Sequence, residues 1–200
     1  MKLVFASNNK HKLEEIAEIA GSAFQIISLQ ELGCTDEIPE TQPTIEGNAL
    51  QKARYIYNKY KVNCFADDTG LEIEALNGDP GVYSARFAGE GCSFDDNMDK
   101  TLSLLKGTLN RKAKFRTVIA LLYNEKEYLF EGFVKGDMLE EKRGEKGFGY
   151  DAIFMPEGYN ESFAQMSSTI KNKLSHRSMA ARNMMAFIKS NQQLFSETIV

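Results

Sequence analysis

Short apolar runs alternate with stretches of helical spacing through the first third of the chain, and that alternation constrains the fold most. Residues 2–6 read as a buried strand, which Ser7-Asn-Asn9 breaks. Residues 10–20 then place Leu13, Ile16, Ala17 and Ala20 at helical spacing, with Gly21 as the stop. A second strand over 24–29, a loop over 41–44 containing Pro43, and a helix over 45–60 follow. A third strand over 62–66 delivers Asp67 and Asp68 at its C-terminal end. Asn77-Gly-Asp-Pro-Gly81 is a strong turn cluster. Beyond it the spacing predicts a helix over 94–106 and strands over 115–123 and 128–134, joined by Asn-Glu-Lys into an antiparallel hairpin. A short strand over 152–154 and a C-terminal helix over 175–190, with Ser175 as N-cap, complete the pattern. The expected fold class is α/β: a mixed central β-sheet with flanking helices, in one domain spanning 1–200.

With 42% hydrophobic and 26% charged residues, the 200-residue chain has the composition of a soluble globular protein. No apolar run approaches the ~20 residues needed to cross a bilayer, and the opening apolar run is too short for a signal peptide. Those features predict no membrane partner and a cytoplasmic location. Three widely spaced cysteines suggest neither a disulfide framework nor a zinc site. Two histidines are too few for a His-based metal centre. A metal here would be hard and oxygen-bound, hence Mg²⁺ or Mn²⁺. The net charge of −4 argues against a nucleic-acid partner. A small anionic ligand fits if local cations and a metal reverse the field within one cleft.

Three segments supply such groups. Ser7-Asn-Asn-Lys-His-Lys12 sits at a strand-to-helix junction, where free backbone N–H groups and the helix dipole favour an anion. An ordinary N-cap with solvated lysines is the simpler account of it taken alone. Asp67-Asp68-Thr69-Gly70 puts two carboxylates where the chain is expected to turn, so that both serve one site with a cation between them. An acidic turn capping a helix is the alternative. Gly147-Phe-Gly-Tyr-Asp151 offers aromatic rings between glycines, and Lys171-Asn-Lys-Leu-Ser-His-Arg177 packs basic groups into about one helical turn. Lys146-Gly-Phe-Gly-Tyr150 also mimics the opening of an RNA-recognition motif, but Asp151 stands where that motif has an apolar residue.

Together these segments resemble the inosine triphosphate pyrophosphatase family. Its opening [ST]-x-N-x-x-K is matched by Ser7, Asn9 and Lys12, and its E-x-x-x-[TS]…N-A-x-x-K-A by Glu40, Thr44, Asn48-Ala49 and Lys52-Ala53. A long A-D-D-[ST]-G-L…Y-S-A-R-[FY]-[AS]-G block is matched from Ala66 to Gly89. The G-F-G-[YW]-D and K-x-x-[IL]-S-H-R blocks are matched at 147–151 and 171–177. Ala152, Lys146 and Gln165 depart from the family pattern.

The resemblance implies an elongated, two-lobed domain with a cleft between the lobes, acting as a homodimer on a purine nucleoside triphosphate. It implies that Glu40, Asp67 and Asp68 hold Mg²⁺, with Mn²⁺ as a substitute, and that Asp68 is the general base. Ser7, Asn9, Lys12, Lys52 and Lys171 would bind phosphates, and Thr69 would contact substrate. Phe148 would stack on the purine, with Tyr150, Asp151, His176 and Arg177 around its edge. Asn8, Lys10, His11, Arg86 and Gly149, within the matched segments, complete the substrate-binding set. The implied reaction converts deaminated purine triphosphates (ITP, dITP, XTP) to the monophosphate and pyrophosphate. A pyrophosphatase of other modified nucleotides and a non-enzymatic RNA-binding module are the alternatives.

Overall fold

The computed structural model of the protein describes residues 1–21 and 24–195. Strand β1 (Lys2–Phe5) leads into helix α1 (Lys10–Ala20). Asn9 caps α1 by accepting from the Lys12 backbone N–H at 3.2 Å, and Gly21 ends it at a φ of 51°. Strand β2 (Gln25–Ile27) is shorter than the apolar run suggests. Ser28 and Glu31 form a reciprocal capping box that starts a one-turn helix, α2 (Leu29–Leu32). Helix α3 (Ile45–Tyr60) has the predicted bounds and is capped by Thr44, which accepts from the Gly47 N–H at 3.0 Å.

Strand β3 (Cys64–Ile73) differs from expectation in a way that matters. It does not end before the aspartates but runs through them, so Asp67 and Asp68 are mid-strand residues. Strand β4 (Pro80–Gly81) turns back against β3, and α4 (Phe94–Leu104) follows, started by a Ser93–Asp96 capping box. The long strands β5 (Lys112–Tyr123) and β6 (Lys126–Met138) are joined by Asn124 and Glu125, both at positive φ (48° and 65°). That is the two-residue geometry that matches the twist of a hairpin. Residues 151–153 form a 3₁₀ turn in place of the predicted strand, which is displaced to β7 (Phe154–Pro156). The single C-terminal helix expected over 175–190 is preceded by another. Helix α5 (Ser168–Leu174) stops at Ser175, and α6 (His176–Ser190) and α7 (Gln192–Phe195) follow. The basic segment therefore straddles a helix break, because Ser175 is extended (ψ 151°).

The sheet is mixed, in the order β2-β1-β3-β5-β6-β7 with β4 on β3. Strand β1 is parallel to both β2 and β3, whereas β3–β4 and β6–β7 are antiparallel. Among the described residues no helix is long and apolar enough to cross a membrane. All three cysteines are thiols, and burial pushes that of Cys64 up to about 12.

The residues gather into two compact units. The first comprises 1–68, 117–132 and the chain from 177 onward. Its core sets Leu3, Phe5 and Phe65 of the sheet against Ile16 of α1 and Ala180, Ala181 and Met184 of α6. The second comprises 69–116 and 133–176, with a core around Leu71, Phe115, Phe154 and Phe163. There a β carbon on Gly136 would lie 2.2 Å from the Met155 carbonyl oxygen, so β6 and β7 can approach only with glycine at 136. Gly136→Ala should lower stability by about 1–3 kcal/mol, since backbone blocks the added methyl. A urea melt checks this, and an unchanged midpoint would refute the tight β6–β7 contact.

Candidate functional site

Strand alternation sends the side chains of Asp67 and Asp68 to opposite faces of β3. Asp67 shares its parity with Phe65, whose ring packs in the core beside α1 and α6. It is fully buried (0% exposed), and each of its oxygens meets a cation. Oδ1 accepts from Lys12 Nζ of α1 at 3.1 Å, and Oδ2 accepts from Arg177 Nε of α6 at 3.0 Å. Arg177 is 2% exposed and also pairs with Glu15 of α1. Burial would raise the Asp67 pKa, but Lys12, Arg177 and Lys52 outweigh it and hold the carboxyl well below the usual range.

Asp68 shares its parity with Cys64, whose thiol donates to the Ala53 carbonyl of α3 at 3.2 Å. Its partners accordingly come from α3. Lys52 Nζ donates to Asp68 Oδ1 at 3.2 Å and to Glu40 Oε1 at 2.5 Å. Asn48 Nδ2 approaches Asp68 Oδ2 at 3.4 Å. Burial, with Glu40 and Asp67 as like charges, lifts the Asp68 pKa above its ordinary value against the pull of Lys52 and Lys12. Burial opposes the charge on Lys52, but Asp68, Glu40 and Asp67 together hold its ammonium above the usual pKa.

Of the expected metal set, Glu40 and Asp68 share the Lys52 ammonium, while Asp67 pairs with Lys12 and Arg177. Among the described residues no three acidic, histidine or cysteine side chains gather to hold an ion by themselves. Asp67 is drawn to the opposite face with its two cations, while Glu40 and Asp68 converge on one ammonium. Two hard oxygen donors held that close suit Mg²⁺, which is commonly bound by one or two carboxylates plus substrate phosphates.

In the second unit, Gly147-Phe-Gly-Tyr-Asp151 forms a turn rather than the strand that an RNA-recognition motif requires. Asp151 folds back so that its Oδ2 accepts from the Phe148 N–H at 2.8 Å and from Lys171 Nζ at 2.7 Å. A β carbon on Gly147 would lie 2.1 Å from that same oxygen, and φ there is +79°, so only glycine fits. Phe148 is half-buried, with Lys171 Nζ 5.0 Å from its ring centre and the Phe94 ring at 6.0 Å. Phe94, Phe148, Gly149 and Asp151 line a cavity of about 440 Å³ together with Met98 and Lys142.

The remaining expected residues each have local surroundings of their own. Ser7 Oγ accepts from the Asn9 N–H at 3.2 Å, while Asn8, Lys10 and His11 are exposed. Thr69 is half-buried on β3, directly after Asp68. The Arg86 guanidinium lies 5.4 Å from the Tyr83 ring. Tyr150 is buried and donates its hydroxyl to the Ser84 carbonyl at 2.8 Å. His176 is buried and stacks on Phe115 at 4.7 Å. Arg177, which the resemblance puts at the base edge, pairs through its guanidinium with Asp67 and Glu15. Gln165, where the family has a glutamate, accepts from the Ser162 N–H at 2.9 Å and so closes a turn.

Residues 3–187 match the Ham1 family. The chain belongs to the Ham1 family. It is 53% identical over 190 residues to the dITP/XTP pyrophosphatase of Flavobacterium psychrophilum, which covers 95% of this chain and all of that protein. It is 49% identical over 188 residues to the dITP/XTP pyrophosphatase of Porphyromonas gingivalis, covering 94% and 97%. Among solved structures, the Staphylococcus aureus Ham1 protein superposes with a TM-score of 0.87 at 37% identity, over 95% of this chain and 99% of that one. A HAM1 protein from Coxiella burnetii gives 0.88 at 34% identity with the same coverage.

Glu15, Asn48 and Phe94 of this Ham1-family chain have contacts that the sequence motifs do not assign. Glu15 stands three positions after Lys12, one turn along the same helical face. Asn48 stands four before Lys52 and was visible only as part of a motif. Nothing in the sequence marks Phe94, because its partner Phe148 is 54 residues away along the chain.

The Asp67 knot carries a stability signature. Its folded pKa is depressed, so its contribution is fully present above the unfolded value of about 3.9 and is lost as pH falls through the folded value. Asp67→Asn removes the buried carboxylate that Lys12 and Arg177 share and should cost about 3–5 kcal/mol at pH 7. Denaturant melts of both proteins should show that gap narrowing as pH is lowered from 5 to 3. A gap independent of pH would refute the ionised, paired state of Asp67.

Proposed function

We propose that this Ham1-family chain hydrolyses deaminated purine nucleoside triphosphates, ITP, dITP and XTP, to the nucleoside monophosphate and pyrophosphate. The observation that carries the reading is the Glu40–Lys52–Asp68 cluster, in which Lys52 and Asp68 are buried and Glu40 is partly open to solvent. It combines two converging carboxylates with an ammonium, as a metal-bound polyphosphate requires. The name of the relatives at about half identity supports the substrate class.

In this reading a water oxygen attacks the α-phosphorus, the bond from that phosphorus to the bridging oxygen breaks, and pyrophosphate leaves. Asp68 accepts the water proton. A divalent cation, Mg²⁺ with Mn²⁺ as substitute, would be held by Glu40 and Asp68 and would neutralise charge on the polyphosphate. Lys52 and Lys12 supply positive charge toward the phosphates, and Asp67, Arg177 and Glu15 hold Lys12 and α6 in place. Phosphoryl transfer needs chiefly such positioning and charge neutralisation.

Phe148 takes the base by stacking, and its ring is set before binding by the Asp151 acceptor and the Lys171 ammonium. A 6-oxo purine needs a donor where adenine presents its own amino group, and an unpaired buried donor costs about 1–3 kcal/mol. We assign that donor to His176. Residues 1–200 act as one catalytic domain in the cytoplasm, as a homodimer on a free nucleotide.

The deciding assay incubates the protein and Mg²⁺ with ITP, XTP, dITP, GTP and ATP in parallel, and quantifies monophosphate, diphosphate, pyrophosphate and phosphate. Monophosphate with pyrophosphate from the deaminated purines, and almost none from ATP and GTP, is the expected result. Diphosphate with phosphate would mean that another bond is cut. Asp68→Asn should keep the fold and lose turnover by at least about a hundredfold, the lower range for a lost general base; near wild-type rates would remove Asp68 as the base. Phe148→Ala should raise KM for ITP by about five- to a hundredfold, the equivalent of a lost base–aromatic stack. An unchanged KM would take Phe148 out of the base pocket.

A further inference from the structure

We propose that Asn48 and Gln51 are positioning residues that hold the Glu40 segment against α3, so that the Glu40 carboxylate stands beside Asp68 before metal or nucleotide arrives. The inference rests on the reading that Glu40 and Asp68 hold the divalent cation.

Residues 37–44, which carry Glu40, form no strand or helix of their own, so something else must order them. One face of α3 does so through residues 47, 48, 51 and 52, spaced as neighbours on a helix surface. Asn48 is 1% exposed, and its Oδ1 accepts from the Gln42 N–H at 2.8 Å. Its amide nitrogen points to Asp68 Oδ2 at 3.4 Å, so one side chain touches both the segment and the second carboxylate. Gln51 reads the same segment one residue earlier. Its Oε1 accepts from the Thr41 N–H at 2.9 Å, and its Nε2 donates to Thr41 Oγ1 at 2.9 Å. Gly47 lets the segment lie this close, since a β carbon there would sit 2.7 Å from Gln42 Cβ.

Backbone groups on both residues following Glu40 are therefore gripped by amide side chains, and Lys52 meets the carboxylate itself. A buried amide satisfied by the main chain of this segment and by the reactive carboxylate has a use beyond packing. It removes the freedom that Glu40 would otherwise lose on binding the ion. Groups that hydrogen-bond to metal-holding side chains commonly change metal affinity or activity by about 10–100-fold when removed.

The test is metal binding without turnover. Mn²⁺ alone is titrated against the full chain, and the free-ion EPR signal is followed. Asn48→Ala and Gln51→Leu should each weaken Mn²⁺ binding by about tenfold or more, as should Glu40→Gln. In the Glu40→Gln background neither should weaken it further, because the group they position is gone. A merely structural role would not produce that non-additivity. Gln51 is only half-buried, so Gln51→Leu carries the test should Asn48→Ala fail to fold. Affinities within twofold of wild type, or losses that persist in full without the Glu40 carboxylate, would overturn the proposal. A wild-type chain that binds no Mn²⁺ would remove the metal reading and this inference with it. Wild-type binding with unaffected variants would remove the inference alone.

Discussion

Two adjacent carboxylates inside a buried strand cannot remain charged without counter-charges brought to them, and the first unit is organised around supplying these. Burial of an unpaired ion costs several kcal/mol even after relaxation. Along β3 the pleat sends Asp67 one way and Asp68 the other, so the counter-charges arrive from both faces. Lys12 of α1 and Arg177 of α6 meet Asp67, and Lys52 of α3 meets Asp68. The helices that cover the sheet are thus tied by charge to its central strand as well as packed on it by Phe5, Phe65 and Ile16.

This division gives two neighbouring residues of one type opposite chemistry. Asp67 is enclosed and doubly paired, and its cations hold the carboxyl below the usual range. Asp68 shares a single lysine with Glu40, and burial lifts its pKa above the ordinary carboxylate value. Environment alone separates the two, the same principle by which paired carboxylates in hydrolases acquire different roles. In the second unit one carboxylate does several jobs. Asp151 closes the turn by accepting from the Phe148 N–H, holds Lys171 and rests against the bare α carbon of Gly147. The Phe148 ring lies beside the Lys171 ammonium and the Phe94 ring.

Much of this was legible locally. Helices α1 and α3 have the bounds their spacing predicts, because caps at Asn9 and Thr44 and a stop at Gly21 are local signals that nothing distant overrides. The hairpin turn at Asn124 and Glu125 is equally local. The misplaced features depend on distant partners. The β3 strand extends beyond Ala66 because Lys12, Lys52 and Arg177 neutralise aspartates that local propensity would put in a turn. The helix over 168–174 gives no periodic signal in the sequence, because its amphipathic pattern spans barely two turns. The strand expected over 152–154 begins only at Phe154, after a 3₁₀ turn over 151–153 that starts at Asp151, itself bound to Phe148 and Lys171.

The sequence by itself determined the α/β class, the residues available for chemistry and the family to which they belong, since these follow from periodicity and from motifs a few residues long. Only the tertiary structure decided which charge meets which. Pairings such as Asp67 with Arg177, 110 residues apart, are set by which face of β3 each helix covers. The one-residue step between Asp67 and Asp68 then determines which partners each receives, because successive side chains on a pleated strand point to opposite sides.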